Sequence, residues 1–177
     1  MREQTGNRVL RSGLNAYATA EDFINVFHED MNGLYHLSFL LTGNHEQAEK
    51  CFVAGIEDCV KENHVFREWA RSWARRIIVE NAIRELKPQP SFRGTTNVAS
   101  VFSQCERSSD PDGQFDVDMV LGLGDFERFV FVMSVLERYS HHECALLLGC
   151  SVWEVRQARF QAFEQLARSS QAVSYTP

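Results

Sequence analysis

From residue 20 onward, apolar side chains recur at three- and four-residue intervals, the spacing of a helix with one buried face. The strict alternation of a half-buried strand occurs nowhere. Phe23, Val26, Phe27, Leu34, Leu37, Phe39, Leu40 and Leu41 carry the first helical stretch, which follows Thr19 or Ala20. Gly43-Asn44 stops it, because such a pair readily takes the left-handed conformations that a helix end needs. A second helix is predicted over 45–62, with Ala48, Cys51, Phe52, Gly55, Ile56, Cys59 and Val60 on one face. A third, over 65–86, ends before Lys87-Pro88, since the residue preceding proline avoids the helical region. Residues 88–120 are rich in Pro, Ser, Thr, Gly and Asp and read as a linker, within which 98–102 suits a brief helix. Near residue 117 the helical pattern returns, and 123–136 carries Phe126, Phe129, Val130, Met133 and Leu136 on one stripe. Residues 1–19 read as a loose lead-in and 169–177 as a disordered tail.

The best-patterned segment is 137–168. Ser140 is followed three residues later by Glu143, and Ser151 three residues later by Glu154. Both pairs fit the capping box, in which the serine oxygen accepts a backbone N–H and the glutamate reaches back to the cap. Between them, Leu146-Leu147-Leu148-Gly149-Cys150 closes the first helix, with Gly149 as its left-handed cap. A short helix, a tight glycine turn and a longer second helix make a helix-turn-helix, whose second helix fits a DNA major groove. The predicted fold is therefore all-α. Two small helical lobes, 20–87 and 121–168, are joined by a flexible acidic linker at 88–120, and the C-terminal lobe is the helix-turn-helix.

Composition narrows the function classes. At 44% hydrophobic and 24% charged, the 177 residues suit a globular chain. No apolar run approaches the ~20 residues of a membrane span, and MREQTGNRVLRSGLN lacks the apolar stretch of a secretory signal. Membrane insertion is not expected, and a cytoplasmic location is. The five cysteines include no CxxC pair, so they read as buried reduced thiols rather than zinc ligands. His141-His142, adjacent in a first helical turn, point in different directions and read as surface residues. No phosphate loop, metal pair or nucleophile with a base is present, so neither an enzyme, a cofactor nor a small-molecule substrate is expected.

A net charge of −6 opposes a simple nucleic-acid binder. The acid is dispersed, however: eight Lys/Arg face twelve Asp/Glu over 20–87, two face five over 88–120, and five face six over 121–168. Any DNA-facing surface is a local basic patch. Arg67, Arg71 and Arg75 recur every four residues with Arg76 nearby, and Trp69 and Trp73 share another face. One reading is a single-strand platform, with arginines on phosphates and an aromatic ring on an unpaired base. The other is a pair of core tryptophans, with arginines balanced by Glu68 or other surface acids. In the second helix of the helix-turn-helix, Arg156 and Arg159 suit phosphates or guanine edges, and Gln157 suits adenine. Trp153 lies in its first turn and either faces DNA or staples the preceding helix. Phe160 and Phe163 raise a third reading, a surface covered by a protein partner.

Both lobes resemble one family in the same order. The segment LGDFERFVFVMSVLERYSHHECALLLGCSVWEVRQARFQAFEQL is similar to region four of bacterial extracytoplasmic-function sigma factors, within the sigma-70 family. LYHLSFLLTGNHEQAEKCF (34–52) resembles the start of region two, and VFREWARSWARR (65–76) its promoter-facing helix. The resemblance implies a protein that binds core RNA polymerase and promoter DNA, with an anti-sigma protein as a further partner. It implies −10 contacts by Arg67, Trp69, Arg71, Trp73, Arg75 and Arg76, and −35 contacts by Ser151, Val152, Trp153, Arg156, Gln157, Arg159 and Phe160. It also implies a polymerase-docking helix carrying Glu49, Lys50 and Val53, and an acidic linker threading the positively charged exit path of the polymerase. Two departures stand out. Family members usually carry an acid and a glutamine where this chain has Lys50 and Val53, and several basic residues where this helix has Phe160 and Phe163. They favour an alternative, a sigma-derived interaction module without strong promoter reading.

Overall fold

The computed structural model describes residues 16–61, 64–90 and 116–173, with side chains through residue 169. The short helix expected at 98–102, most of the linker and both chain ends lie outside these residues. The fold is all-α: among the described residues every element is helical, apart from an isolated antiparallel bridge between Tyr17 and Phe66. The chain divides into two compact units, Met1–Leu86 and Lys87–Pro177.

In the first unit, α1 (Ala20–Glu29) opens on a reciprocal cap at Thr19. The Asp22 N–H donates to Thr19 Oγ1 (3.3 Å) and the Thr19 N–H to Asp22 Oδ2 (2.9 Å). The periodicity predicted one helix up to Gly43, but the chain breaks at Asp30 (φ −115°, ψ 29°) and restarts as α2, Met31–Thr42. Asp30, Asn32 and Gly33 are poor helix formers clustered at one turn, so little propensity opposes the break. Gly43, left-handed at φ 67°, ends α2, and Asn44 caps α3 (His45–Val60) by accepting the N–H groups of Glu46 and Gln47. The third helix starts later than its periodicity suggested. The Ala18 N–H donates to the Val65 carbonyl (2.7 Å) and the Arg67 N–H to the Ala16 carbonyl (2.8 Å), which holds Val65 and Phe66 extended. A 3-10 turn, Arg67–Trp69, then leads into α4, Ala70–Leu86.

The core of this unit is Phe23, Phe27, Leu34, Leu37, Leu40, Leu41, Cys51, Cys59, Ile77, Ile78 and Val79, with alanines between them. Phe39 leaves the expected stripe, half-buried and stacked on His45 at 4.3 Å. Buried Ser38 ties α2 to α3 by donating to the Ala48 carbonyl (2.7 Å). Gly55 lets α3 approach α4 closely, since an added Cβ would lie 2.6 Å from Ile78 Cδ1. Gly55→Val is therefore expected to destabilise the unit by about 1–3 kcal/mol through overpacking, seen as a lower urea midpoint at unchanged m-value.

The second unit has α5 (Val117–Leu121), α6 (Asp125–Phe131), α7 (His141–Leu148) and α8 (Val152–Val173). Every residue from Phe126 to Met133 is buried, including Glu127 and Arg128, so α6 is the central element. Arg128 is satisfied by Asp125 Oδ1 (2.8 Å) and the Leu123 carbonyl (3.4 Å). α6 runs into a π-helical turn, Val132–Leu136, in which the Glu137 N–H reaches the Val132 carbonyl. The wider turn shifts the register that the periodicity assumed, and Leu136, expected on the core stripe, is exposed. Val155, Ala158, Ala162 and Leu166 bury the inner face of α8.

Candidate nucleic-acid interface

Helices α7 and α8 are each fixed at the N-terminus by reciprocal bonds. The Ser140 N–H donates to Glu143 Oε2 (2.8 Å), and the Glu143 N–H to Ser140 Oγ (3.2 Å). The Ser151 N–H donates to Glu154 Oε2 (2.7 Å), and the Glu154 N–H to Ser151 Oγ (3.2 Å). Gly149 has φ 66° and nothing within reach of an added Cβ, so backbone conformation alone selects glycine there. Buried Cys144 and Ala145 line α7, and buried Val155 and Ala158 line α8.

The Ser151 N–H and hydroxyl hold the Glu154 carboxyl below its ordinary value. A depressed carboxyl adds stability that is complete above the unfolded-state value and is lost as the pH falls through the folded-state value. Ser151→Ala should cost about 1 kcal/mol near neutral pH. It should cost less once the pH falls below the folded-state value of Glu154, where the carboxyl is protonated in both proteins. Urea midpoints at the two pH values check this.

The residues expected to contact DNA are placed differently along α8. Ser151 is exposed at the cap, Trp153 is half-exposed at 51%, and Arg156 is exposed without an ion-pair partner among the described residues. Val152, Gln157 and Phe160 are half-buried. Trp153, Gln157 and Gln161 share a shallow groove with Phe126, Glu127 and Pro90. Arg159 turns towards α7 instead: its Nη1 lies 3.0 Å from His141 Nε2, and its guanidinium sits over the Phe163 ring at 5.5 Å. Phe163 in turn meets Phe131 edge-on at 5.7 Å. Phe163 thus packs inward, and His141, expected on the surface, is half-buried against Arg159. The outward candidates that remain are Ser151, Trp153 and Arg156, with Gln157 half-buried beside them.

In the first unit the arginines share a side but meet carboxylates of other elements. Arg67 lies 2.8 Å from Asp22, Arg71 3.0 Å from Glu29 and 3.8 Å from Asp30, and Arg75 3.4 Å from Asp30. Arg76 pairs with Glu80 within α4 at 2.9 Å. The sequence allowed Glu68 or other surface acids as partners, and the ion pairs seen here are with the others, Asp22, Glu29, Asp30 and Glu80. Trp69 is 56% exposed, whereas Trp73 is half-buried with its Nε1 enclosed and without a hydrogen-bond partner among the described residues. Trp69 contacts Phe66 edge-on at 5.3 Å, and Phe66 stacks on Tyr17 at 5.0 Å. Sequence reasoning missed Tyr17 and Phe66 because only the bridge joins them. It also missed Glu29 and Asp30, which lie far from the arginines along the chain.

On α3, Glu49, Lys50 and Val53 are all exposed, and Lys50 Nζ is held by Glu46 Oε1 at 2.8 Å. Among the described residues no cluster of His, Cys, Asp or Glu suits a metal ion. Burial pushes the thiols of Cys59 and Cys144 up to about 12 and that of Cys51 to about 11, so they remain protonated apolar groups. No described helix is long and apolar enough to cross a membrane. No family model matches the chain, and a search of curated proteins finds no match.

Proposed function

We propose that this chain is a sigma-factor-like transcription initiation protein of the cytoplasm that binds core RNA polymerase and promoter DNA. The observation that supports this best is the helix-turn-helix, locked by both reciprocal caps and Gly149, with Trp153, Arg156 and Gln157 at the front of α8. An α-helix presented by its N-terminal residues is the element that enters a major groove. The resemblance in residue order assigns α8 to the −35 element, the arginine-bearing α4 to the −10 element, and Glu49, Lys50 and Val53 to the polymerase.

One observation favours the second reading, a sigma-derived interaction module. Arg71, Arg75 and Arg76 are ion-paired and Arg159 faces His141, which leaves few cations committed to DNA. Co-elution with purified core polymerase on a sizing column tests the proposal. A sigma-like protein co-elutes, and Val53→Asp on the exposed face of α3 weakens the complex. Separate elution at micromolar concentrations would count against it.

A further inference from the structure

The acids that face α4 are not equivalent. Asp22 is committed to its own helix: its Oδ2 accepts from the Thr19 N–H and hydroxyl, and its Oδ1 meets Arg67. The carboxylates of Glu29 and Asp30 have no hydrogen-bond or ion-pair partners among the described residues other than Arg71 and Arg75. Glu29 is moreover the last residue of α1, where a negative charge opposes the helix dipole. Glu29 is therefore not explained by the needs of its own helix, and Asp30, the N-cap of α2, makes no side-chain cap bond there. The fold also makes room for Asp30, because a Cβ at Gly33 would run into its Oδ1.

We propose that Glu29 and Asp30 form a carboxylate latch that occupies Arg71 and Arg75 in the free protein and yields them to the phosphates of a single nucleic-acid strand. The inference rests on reading α4 as a nucleic-acid contact and adds its regulation. Both ends of the Arg71–Glu29 pair are more than half exposed, so the pair is weak and screened by salt. A nucleic-acid backbone competes for the same guanidinium groups and gains further from the counterions it releases. The latch makes tight binding conditional on that exchange. It also offsets the basic stripe, which would otherwise attract any polyanion.

The test is fluorescence anisotropy with a short single-stranded oligonucleotide, titrated at several salt concentrations. The E29Q/D30N variant is expected to bind on the order of tenfold tighter at low salt. Its plot of log affinity against log salt should steepen by about 0.7 for each arginine released. Adding R71A/R75A to that variant should abolish the gain. An E57Q/E85Q control removes two exposed charges from α3 and α4 and should leave the slope unchanged. Gly33→Ala displaces the Asp30 carboxylate at constant net charge and should shift binding in the same direction. The latch is overturned if E29Q/D30N and G33A bind as the parent does, or if E57Q/E85Q gives an equal gain. A steeper slope in E29Q/D30N, in a protein that fails to co-elute with polymerase, would keep the latch and reject the sigma-like reading. Co-elution without a change in slope would do the reverse.

Discussion

Phe129→Ala is expected to unfold the helix-turn-helix unit. Phe129 is completely buried in α6, where every residue from Phe126 to Met133 is buried and all sides of the helix are packed. Truncating a buried phenylalanine costs about 3–5 kcal/mol, the lost transfer energy plus the cavity left behind. Domains are stable by roughly 5–15 kcal/mol in total, so the loss approaches the whole margin of a small unit. The indole N–H resonance of Trp153 reports on this unit, and those of Trp69 and Trp73 report on the other. The Trp153 signal should move to its unfolded position at a much lower temperature in the variant. Phe129→Leu, which keeps most of the volume, should lose far less. An unchanged Trp153 transition in Phe129→Ala would show that α6 is not the centre of the unit.

The second large effect is expected at the front of α8. Arg156 is exposed and without an ion-pair partner among the described residues, so replacing it should change folding by less than about 0.5 kcal/mol. A bidentate arginine contact to a guanine edge is worth about 1–3 kcal/mol, so Arg156→Ala should weaken promoter duplex binding by about 5- to 150-fold. Arg159→Ala makes the contrast. It removes the His141 contact and the cation over Phe163, so it should lower stability while changing DNA affinity less. Equal affinity losses for the two variants, with equal stability, would contradict the assignment of Arg156 outward and Arg159 inward.

What could be read in advance was what depends on near neighbours. The reciprocal caps at Ser140 and Ser151 and the left-handed glycines at positions 43 and 149 are written within a few residues, and the structure has them. The Phe126, Phe129, Val130 and Met133 stripe follows from helical period alone. The departures have causes beyond that range. The break at Asp30 leaves its carboxylate beside Arg71 and Arg75, far along the chain, and Val65 and Phe66 stay extended because residues 16–18 bond to them. The π-helical turn moves Leu136 out of register by inserting a wider turn that a fixed period cannot express. For the candidate interface, composition located the arginines but not their partners. Arg159 and Arg156 read alike along the chain, and only the position of His141 and Phe163 separates them.

The most direct test of the central proposal is run-off transcription with purified core RNA polymerase from the source organism and a set of upstream DNA fragments. Addition of this chain should yield a transcript from a discrete start on at least one fragment, and Arg156→Ala should reduce that transcript in proportion to its loss of duplex affinity. Absence of any chain-dependent transcript, from a protein that is folded and saturating, would contradict a transcription-initiation role.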